Sequence, residues 1–521
     1  MSRALSRLTV GATLLAALLV APVRADDGLS AKIDAVLTGP DYKHSRWGVL
    51  VVDNENSRTV YEHNPDQLFA PASVTKLYTC AAALCALGAD YRFETPIYRR
   101  GELTDGHLHG DLILVGQGDL TLGGRADSSG KLLFKDHDHI YANWLNTRSE
   151  LVDADPLAGL NDLARQVKKA GVHQVDGDVL IDDRLFAKAR GSGSGPDVVT
   201  PILVNDNVID VLITPASKAG DPATAAFHPE TNYAQIDLQV ETVGEGKPMK
   251  IEAERVGPRS FAVRGQIPAG AKPAVRICPV EDPAGFARTL FIESLRRAGV
   301  SVKASVQQTP TADLPNKDSY KDLKRVALLK SPPLSEMLKV TLKVSHNLYA
   351  STLPLLIAAK DGKSTLAEGL HLERRQLADL GVDVEAMSLE SGAGGGNGDR
   401  VTPRTTVQLL QGMAKRPDWA VYKGALPVLG VDGTLEDAVA ADSPARGKVM
   451  GKTGTYGDSD LLNGRLLLRA KSLAGVMTTA KGRGLTFAVF VNDVPLPQDG
   501  DPVREGKVIG RLCEIIYQNC P

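Results

Sequence analysis

Hydrophobic and polar positions fall into two textures along the chain. Residues 46–53 form a near-continuous apolar run and 58–62 a second short one, with Asn54-Glu-Asn56 between them. Two β-rich runs flanking such turn residues predict a hairpin over 44–62. Residues 73–87 are rich in Ala and Leu and end on Gly88, which predicts a helix with a glycine stop. From about 93 to 320 short β-type runs, such as 111–115 and 178–181, alternate with Gly and Asp turns; helical stretches interrupt them at 159–170 and 283–298. Residues 201–275 are β-rich with little helix. Residues 191–195 (Gly-Ser-Gly-Ser-Gly) predict a flexible loop. Helical texture returns over 334–360 and 403–415. The C-terminal part reads strand, strand, strand, helix over 446–455, 472–479, 484–492 and 506–518, with Lys481-Gly-Arg-Gly484 as a hairpin turn.

The N-terminus stands outside this pattern. Arg3 and Arg7 precede a short apolar stretch over 8–20, and Val23-Arg24-Ala25 puts small residues where a signal peptidase reads. This predicts an exported chain with a cleaved leader over 1–25. No later segment approaches 18 uninterrupted apolar residues, so no membrane span is expected in the mature chain.

Composition narrows the classes. The 521 residues are 43% hydrophobic and 23% charged, which excludes disordered, collagen-like and disulfide-framework chains. Sixty basic against 62 acidic side chains give a net charge of −2, without the basic footprint of a nucleic-acid binder. The five cysteines are an odd set. Cys80 and Cys85 point about 140° apart round a helix and should not bridge; Cys513 and Cys520 are either bridged or free.

Three motifs carry candidate chemistry. In Ser73-Val74-Thr75-Lys76, positions i and i+3 at a helix start share a face, so hydroxyl and amine can meet. Serine is a weak nucleophile until a base takes its proton, and a lysine whose pKa falls towards neutrality can be that base. Ser128-Ser-Gly-Lys131 repeats the spacing in a turn-rich context and is set aside. In Ser345-His346-Asn347, preceded by Lys343, a hydroxyl can relay a proton and an amide can hold a carbonyl. In Lys452-Thr453-Gly454-Thr455 on a strand, Lys452 and Gly454 share one face and the threonines the other. A cation and hydroxyls at a strand rim suit a carboxylate, and Gly454 admits close backbone approach. Alone, each motif fits an ordinary polar stretch. Together, in this order and context, they match the trio of serine β-lactamases and penicillin-binding proteins, with His in place of the usual Asp in the second.

The spacing narrows the match, since 272 residues separate Ser73 from Ser345 and 107 separate Ser345 from Lys452. A β-lactamase-sized domain needs far less. The chain resembles the penicillin-binding protein 4 type of D-alanyl-D-alanine carboxypeptidase/endopeptidase, the low-molecular-mass class C penicillin-binding proteins. The segments 112–119, 175–183, 331–335, 426–434 and Ser472-Leu-Ala-Gly475 also look like that family. The resemblance runs from about 30 to 515.

It implies an α/β (α+β) fold of the serine β-lactamase/DD-peptidase kind, an antiparallel sheet flanked by helices and split by two nested insertions. The implied boundaries are 26–92 and 321–521 for the catalytic domain, 93–200 and 276–320 for the inserted domain, and 201–275 for the nested one. The implied reaction is acyl transfer on peptidoglycan peptides, with Ser73 attacking a D-Ala-D-Ala carbonyl or a D-Ala-linked crosslink. Lys76 is then the general base, Ser345 the proton relay beside Lys452, and Asn347 the holder of the substrate amide. Thr453 binds the terminal carboxylate, Gly454 lies against the substrate, and the N–H groups of Ser73 and Thr455 form the oxyanion hole. Two converging ammonium groups would lower each other's pKa. No metal or organic cofactor is implied. β-Lactams are the expected covalent inhibitors, the location is periplasmic or cell-wall-associated, and peripheral membrane contact stays open.

Two segments depart from the family pattern. Glu390-Ser391-Gly392 runs into Ala393 and glycines to Gly396, which predicts a mobile loop. Residues 456–471 lengthen the link from the Lys-Thr-Gly strand to Ser472 by 16 residues and are expected to alter substrate or β-lactam preference. Three other readings compete: a β-lactamase, which needs fast deacylation, a non-catalytic wall-binding protein that kept the fold, and an unrelated secreted globular protein with chance motifs.

Overall fold

The computed structural model describes residues 27–144, 148–498 and 500–520; the expected leader over 1–25 lies outside them. The expected N-terminal hairpin forms from strands Arg46–Asp53 and Thr59–His63. The first pairs along its length with Gly484–Pro495, which pairs with Arg465–Thr478, which pairs with Val449–Asp460 at the sheet edge. The result is a five-stranded, wholly antiparallel sheet.

Its central strands carry long apolar runs because both faces are covered. Val49 and Val51 pack with the helices Asp27–Leu37 and Pro502–Asn519, through Leu29, Ile33, Ile509 and Leu512. Leu50 and Val52 point the other way, into a core with Leu77, Tyr78 and Leu84 of helix Thr75–Leu87 and with Leu409 and Leu410 of Pro403–Ala414. That second core also takes in Leu120, Leu132, Phe186, Val199 and Leu203 from the long intervening segment.

The intervening segment leaves and returns through paired strands, Glu94–Thr104 against Lys324–Lys330. These belong to a six-stranded sheet completed by His107–Val115 and three short strands. Two three-stranded sheets follow. In one, Val208–Thr214 lies between Thr224–His228 and Ala274–Pro279, the last spanning the expected boundary at 275. In the other, Ser260–Pro268 lies between Gln235–Val243 and Lys250–Gly257.

Two expectations are corrected, and one open alternative is resolved. The helix expected over 334–360 is two helices, Leu334–Lys343 and Asn347–Lys360, broken at Ser345, whose φ is 63°. The strands expected to end at 455 and begin at 472 continue to Asp460 and back from Arg465, so the added residues extend the ladder as a two-stranded ribbon. Its tip carries Leu461 and Leu462, both about nine-tenths exposed. Cys513 and Cys520 do not bridge, and all five thiols are free. Seven residues along a helix separate that pair by about 10 Å, beyond disulfide reach. Among the described residues no helix is long and apolar enough to cross a membrane.

Candidate active site

The helix that follows Ser73 begins with an unfavourable turn. Ala72 adopts φ 46°, a left-handed conformation that costs alanine about 1–2 kcal/mol. It opens the 3-10 turn Ala72–Val74, which runs straight into Thr75–Leu87. This lifts Ser73 to a partly exposed position while Lys76 is fully buried. Lys76 Nζ donates three hydrogen bonds of 2.8 Å, to Ser73 Oγ, Asn347 Oδ1 and the Ala393 carbonyl. Burial lowers the ammonium to about 7, against the opposing influence of Cys80 and Asp399. Lys452, also buried, is held well below its ordinary value, first by burial and then by the charge of Lys76. Burial is the largest influence on both lysines, and repulsion between the two ammonium groups adds to it.

Asn347 opens its helix one residue after His346, whose Nδ1 accepts from the Tyr349 amide at 3.3 Å. The break that frees it is held from outside. Tyr141 Oη donates to the Ser345 carbonyl, and Ser345 itself is only 6% exposed. His346 Nε2 stands 3.2 Å from Asp206 Oδ2, and Tyr349 Oη donates to Asp206 Oδ1 at 2.7 Å. Asp206 is the hub of a buried charge network. Arg125 donates to it at 2.6 and 3.1 Å and to both oxygens of Asp138 at 2.7 and 2.9 Å. His139 bridges Asp206 at 2.8 Å and Asp210 at 2.6 Å. Burial opposes charge on His139, but Asp210, Asp138 and Asp206 outweigh it and push the imidazole up to about 10. His346 goes the other way, lowered by burial despite Asp206. Asp138, Asp206 and His346 have the donor atoms of a metal site, but the Arg125 guanidinium and the His139 imidazolium already balance these carboxylates. A metal cation fits poorly there.

The third motif lies on the edge strand Val449–Asp460. A Cβ on Gly454 would stand 2.2 Å from Ser472 Oγ and 2.4 Å from the Pro71 carbonyl oxygen, so only glycine lets this strand lie on the turn that carries Ser73. Ser472 Oγ ties the contact by donating to that carbonyl at 2.8 Å. Thr453 Oγ1 donates to Thr434 Oγ1 at 2.7 Å. Thr434 arrives on the loop over 426–434, where Asp432 accepts from Lys343 at 2.6 and 2.8 Å. On the far side Thr455 Oγ1 accepts from Lys471 Nζ at 2.9 Å.

Direct hydrogen bonds thus join Ser73, Lys76 and Asn347, and the Gly454 strand touches the turn that carries Ser73. The sequence reading missed several participants. The glycine-rich loop, expected to be mobile, is cinched by Asp399, which accepts from the amides of Glu390 and Gly396 at 2.7 and 2.8 Å and from Ser391 Oγ at 3.1 Å. It presents the Ala393 carbonyl to Lys76. The Gly-Ser loop over 191–195 reaches the site too: Asn347 Nδ2 donates to the Ser194 carbonyl at 3.1 Å, and Ser192 Oγ donates to Ser391 Oγ at 3.3 Å. The one local signal was glycine, which marks both loops as backbone that packs closely. Nothing local marked Tyr141, Asp206 or Lys471.

Comparison with known proteins agrees with this architecture. The sequence profile of the D-Ala-D-Ala carboxypeptidase 3 (S13) family matches residues 29–507. The D-alanyl-D-alanine carboxypeptidase of Actinomadura sp. (strain R39) is 32% identical over 465 residues, 84% of this chain and 78% of that protein. Penicillin-binding protein 4 of Haemophilus influenzae superposes with a TM-score of 0.67 at 21% identity, covering 91% of this chain and 97% of that one. A crystal structure of the same protein complexed with a β-lactam gives 0.65 at 20% identity and the same coverage. The chain therefore belongs to the D-Ala-D-Ala carboxypeptidase 3 (S13) family of enzymes.

Proposed function

We propose that this enzyme cleaves D-Ala-D-Ala termini or D-Ala-linked crosslinks of peptidoglycan peptides through an acyl-enzyme on Ser73, and that β-lactams acylate the same oxygen. The observation that carries the reading is the 2.8 Å hydrogen bond between Ser73 Oγ and a buried Lys76 whose pKa is lowered to about 7. A neutral Lys76 takes the Ser73 proton as Oγ attacks the carbonyl. The N–H groups of Ser73 and Thr455 hold the oxyanion. Collapse breaks the peptide bond, and the leaving amine takes a proton through the Ser345 hydroxyl, with Lys452 beside it. Asn347 holds the substrate amide, and Thr453, Gly454 and Thr455 line the side of the terminal carboxylate. Water then attacks the ester and restores Ser73. The acylation rate is expected to rise with pH through about 7, as Lys76 loses its proton.

The division at 26–92, 93–200, 201–275, 276–320 and 321–521 belongs to this proposal. So does export with cleavage after Ala25 to the periplasm or the cell wall. The first measurement is intact-mass spectrometry with and without benzylpenicillin, on wild type and Ser73→Ala. The reading expects a stoichiometric adduct on Ser73 that vanishes in the variant. A folded wild type that gives no adduct and leaves the drug untouched overturns it; consumed drug without an adduct points to a β-lactamase. The same spectrum, taken on protein expressed with its own leader, tests cleavage after Ala25.

A further inference from the structure

Lys471 is a buried ammonium that the mechanism above does not use. It lies on Arg465–Thr478, directly opposite Thr455 in the antiparallel register, so both side chains share one face of the sheet. The helix Pro502–Asn519 closes over it; a Cβ on Gly506 would stand 3.5 Å from Lys471 Nζ. Lys471 is 9% exposed. Among the described residues no carboxylate lies within ion-pair distance of it. The charged groups that influence it are the carboxylates of Glu505 and Asp501, and Lys452 on the other side. Glu505 accepts from Tyr42 Oη at 2.6 Å through Oε2, while its buried Oε1 makes no hydrogen bond and stands 3.9 Å from Arg504 Nε. The hydrogen bond that Lys471 does make, 2.9 Å to Thr455 Oγ1, ends on a hydroxyl of the substrate-binding strand.

That bond fixes the polarity of the hydroxyl. An ammonium only donates, so it occupies a lone pair of Thr455 Oγ1 and turns the Thr455 proton outward. The neighbouring hydroxyl is committed differently, since Thr453 gives its proton to Thr434. Of the two threonines, Thr455 is the one with a proton to give an incoming anion, and a buried ammonium without a direct ion pair stands behind it. A buried cation without a partner carboxylate is costly, and a ligand carboxylate would relieve that cost.

We propose that Lys471 is a positioning residue for carboxylate recognition: it makes Thr455 a hydrogen-bond donor and supplies the charge that selects substrates ending in a carboxylate. This inference rests on the acyl-transfer reading above. Its reach lies in substrate choice, because Lys471 touches neither the reacting carbonyl nor Ser73.

The test compares two thioester substrates that differ only at the end next to the scissile bond, one a free carboxylate and the other a carboxamide. Wild type, Lys471→Met and Lys471→Arg are assayed with each. Wild type is expected to favour the carboxylate. In Lys471→Met, KM for the carboxylate substrate should rise about tenfold with kcat within about twofold, and the preference should fall by the same factor, as loss of a charge-assisted bond predicts. The carboxamide should be turned over as by wild type, and Lys471→Arg should restore the preference. Where Lys471→Met does not fold, Lys471→Gln keeps a donor to Thr455 without the charge, and its preference should fall as well. Equal loss on both substrates, or an unchanged preference in a folded neutral variant, overturns the role of Lys471. A wild type that turns over neither substrate and forms no penicillin adduct overturns the acyl-transfer reading instead.

Discussion

Two segments of the candidate active site are held in place by opposite means. The Lys-Thr-Gly strand is held by a ladder: Val449–Asp460 is paired along its length, and the cores on the two faces of its sheet are apolar. The Ser-His-Asn turn is held by charge. Its conformation is set by Tyr141 on the Ser345 carbonyl and by Asp206 beside His346, and Asp206 is in turn fixed by Arg125 and His139. Those residues come from the intervening segment, more than 130 positions away in sequence. Sheet pairing tolerates small shifts because its stabilisation is spread over many weak contacts. A buried ionic hub concentrates it in few, so losing one member exposes the rest.

The largest effect should come from breaking that hub. Asp206→Asn leaves Arg125 and His139 without their shared counter-charge. It should cost about 3–5 kcal/mol of stability, read as a shift in the urea midpoint, and slow acylation at least tenfold. Lost stability with unchanged acylation would show that the hub supports the fold without setting the turn. On the ladder side, Gly454→Ala drives a methyl into Ser472 Oγ and the Pro71 carbonyl. Stopped-flow acylation by benzylpenicillin should slow by about 10- to 100-fold, because the strand must lift off the nucleophile turn, while stability falls by about 1–3 kcal/mol.

A smaller effect probes the core beneath the nucleophile helix. Glu373 is fully buried against Thr79 Oγ1 at 3.2 Å, and burial pushes its carboxyl from 4.5 up to about 8. A raised pKa means that the folded state keeps a proton the unfolded chain releases above 4.5. The stabilising protonated form is thus fully present below that pH and lost as pH rises towards 8. Glu373→Gln should therefore raise the melting temperature at pH 8 and leave it nearly unchanged at pH 4.5. The smallest effect is expected at the ribbon. Leu468 is buried in the core and pairs with Val494, so the cut must stop short of it. Replacing 458–467 with Asn-Gly should preserve folding and Ser73 labelling and change the ratio of rates on two peptide substrates by about twofold to fivefold. An unchanged ratio would remove the ribbon from any role in substrate choice.

The same contrast explains what could be read in advance. The Lys-Thr-Gly strand was legible because its pattern is local: apolar runs, a Lys-Gly-Arg-Gly turn and a period of two. Ser73 and Lys76 were legible because three residues of helix bring them together whatever else the chain does. The turn at Ser345 was not, because the apolar periodicity over 334–360 continues across it, and only distant side chains impose φ 63°. Lys471 was hidden for another reason. Its face depends on the register across the lengthened hairpin, and one slip would have turned it away. The Gly-Ser loop over 191–195 was read for its composition, which gave flexibility but not the contact with Asn347.

The core around helix Thr75–Leu87 recruits Leu120, Leu132, Phe186, Val199 and Leu203 from the intervening segment. Modularity in this enzyme is therefore only topological. The segment enters and leaves through a paired neck like an appendage, yet excising it between that neck's strands would strip side chains from the packing behind Ser73 and remove the hub beside His346. A smaller unit of this chain that keeps Ser73 cannot be cut out at the paired neck; it would have to be redesigned as a new core.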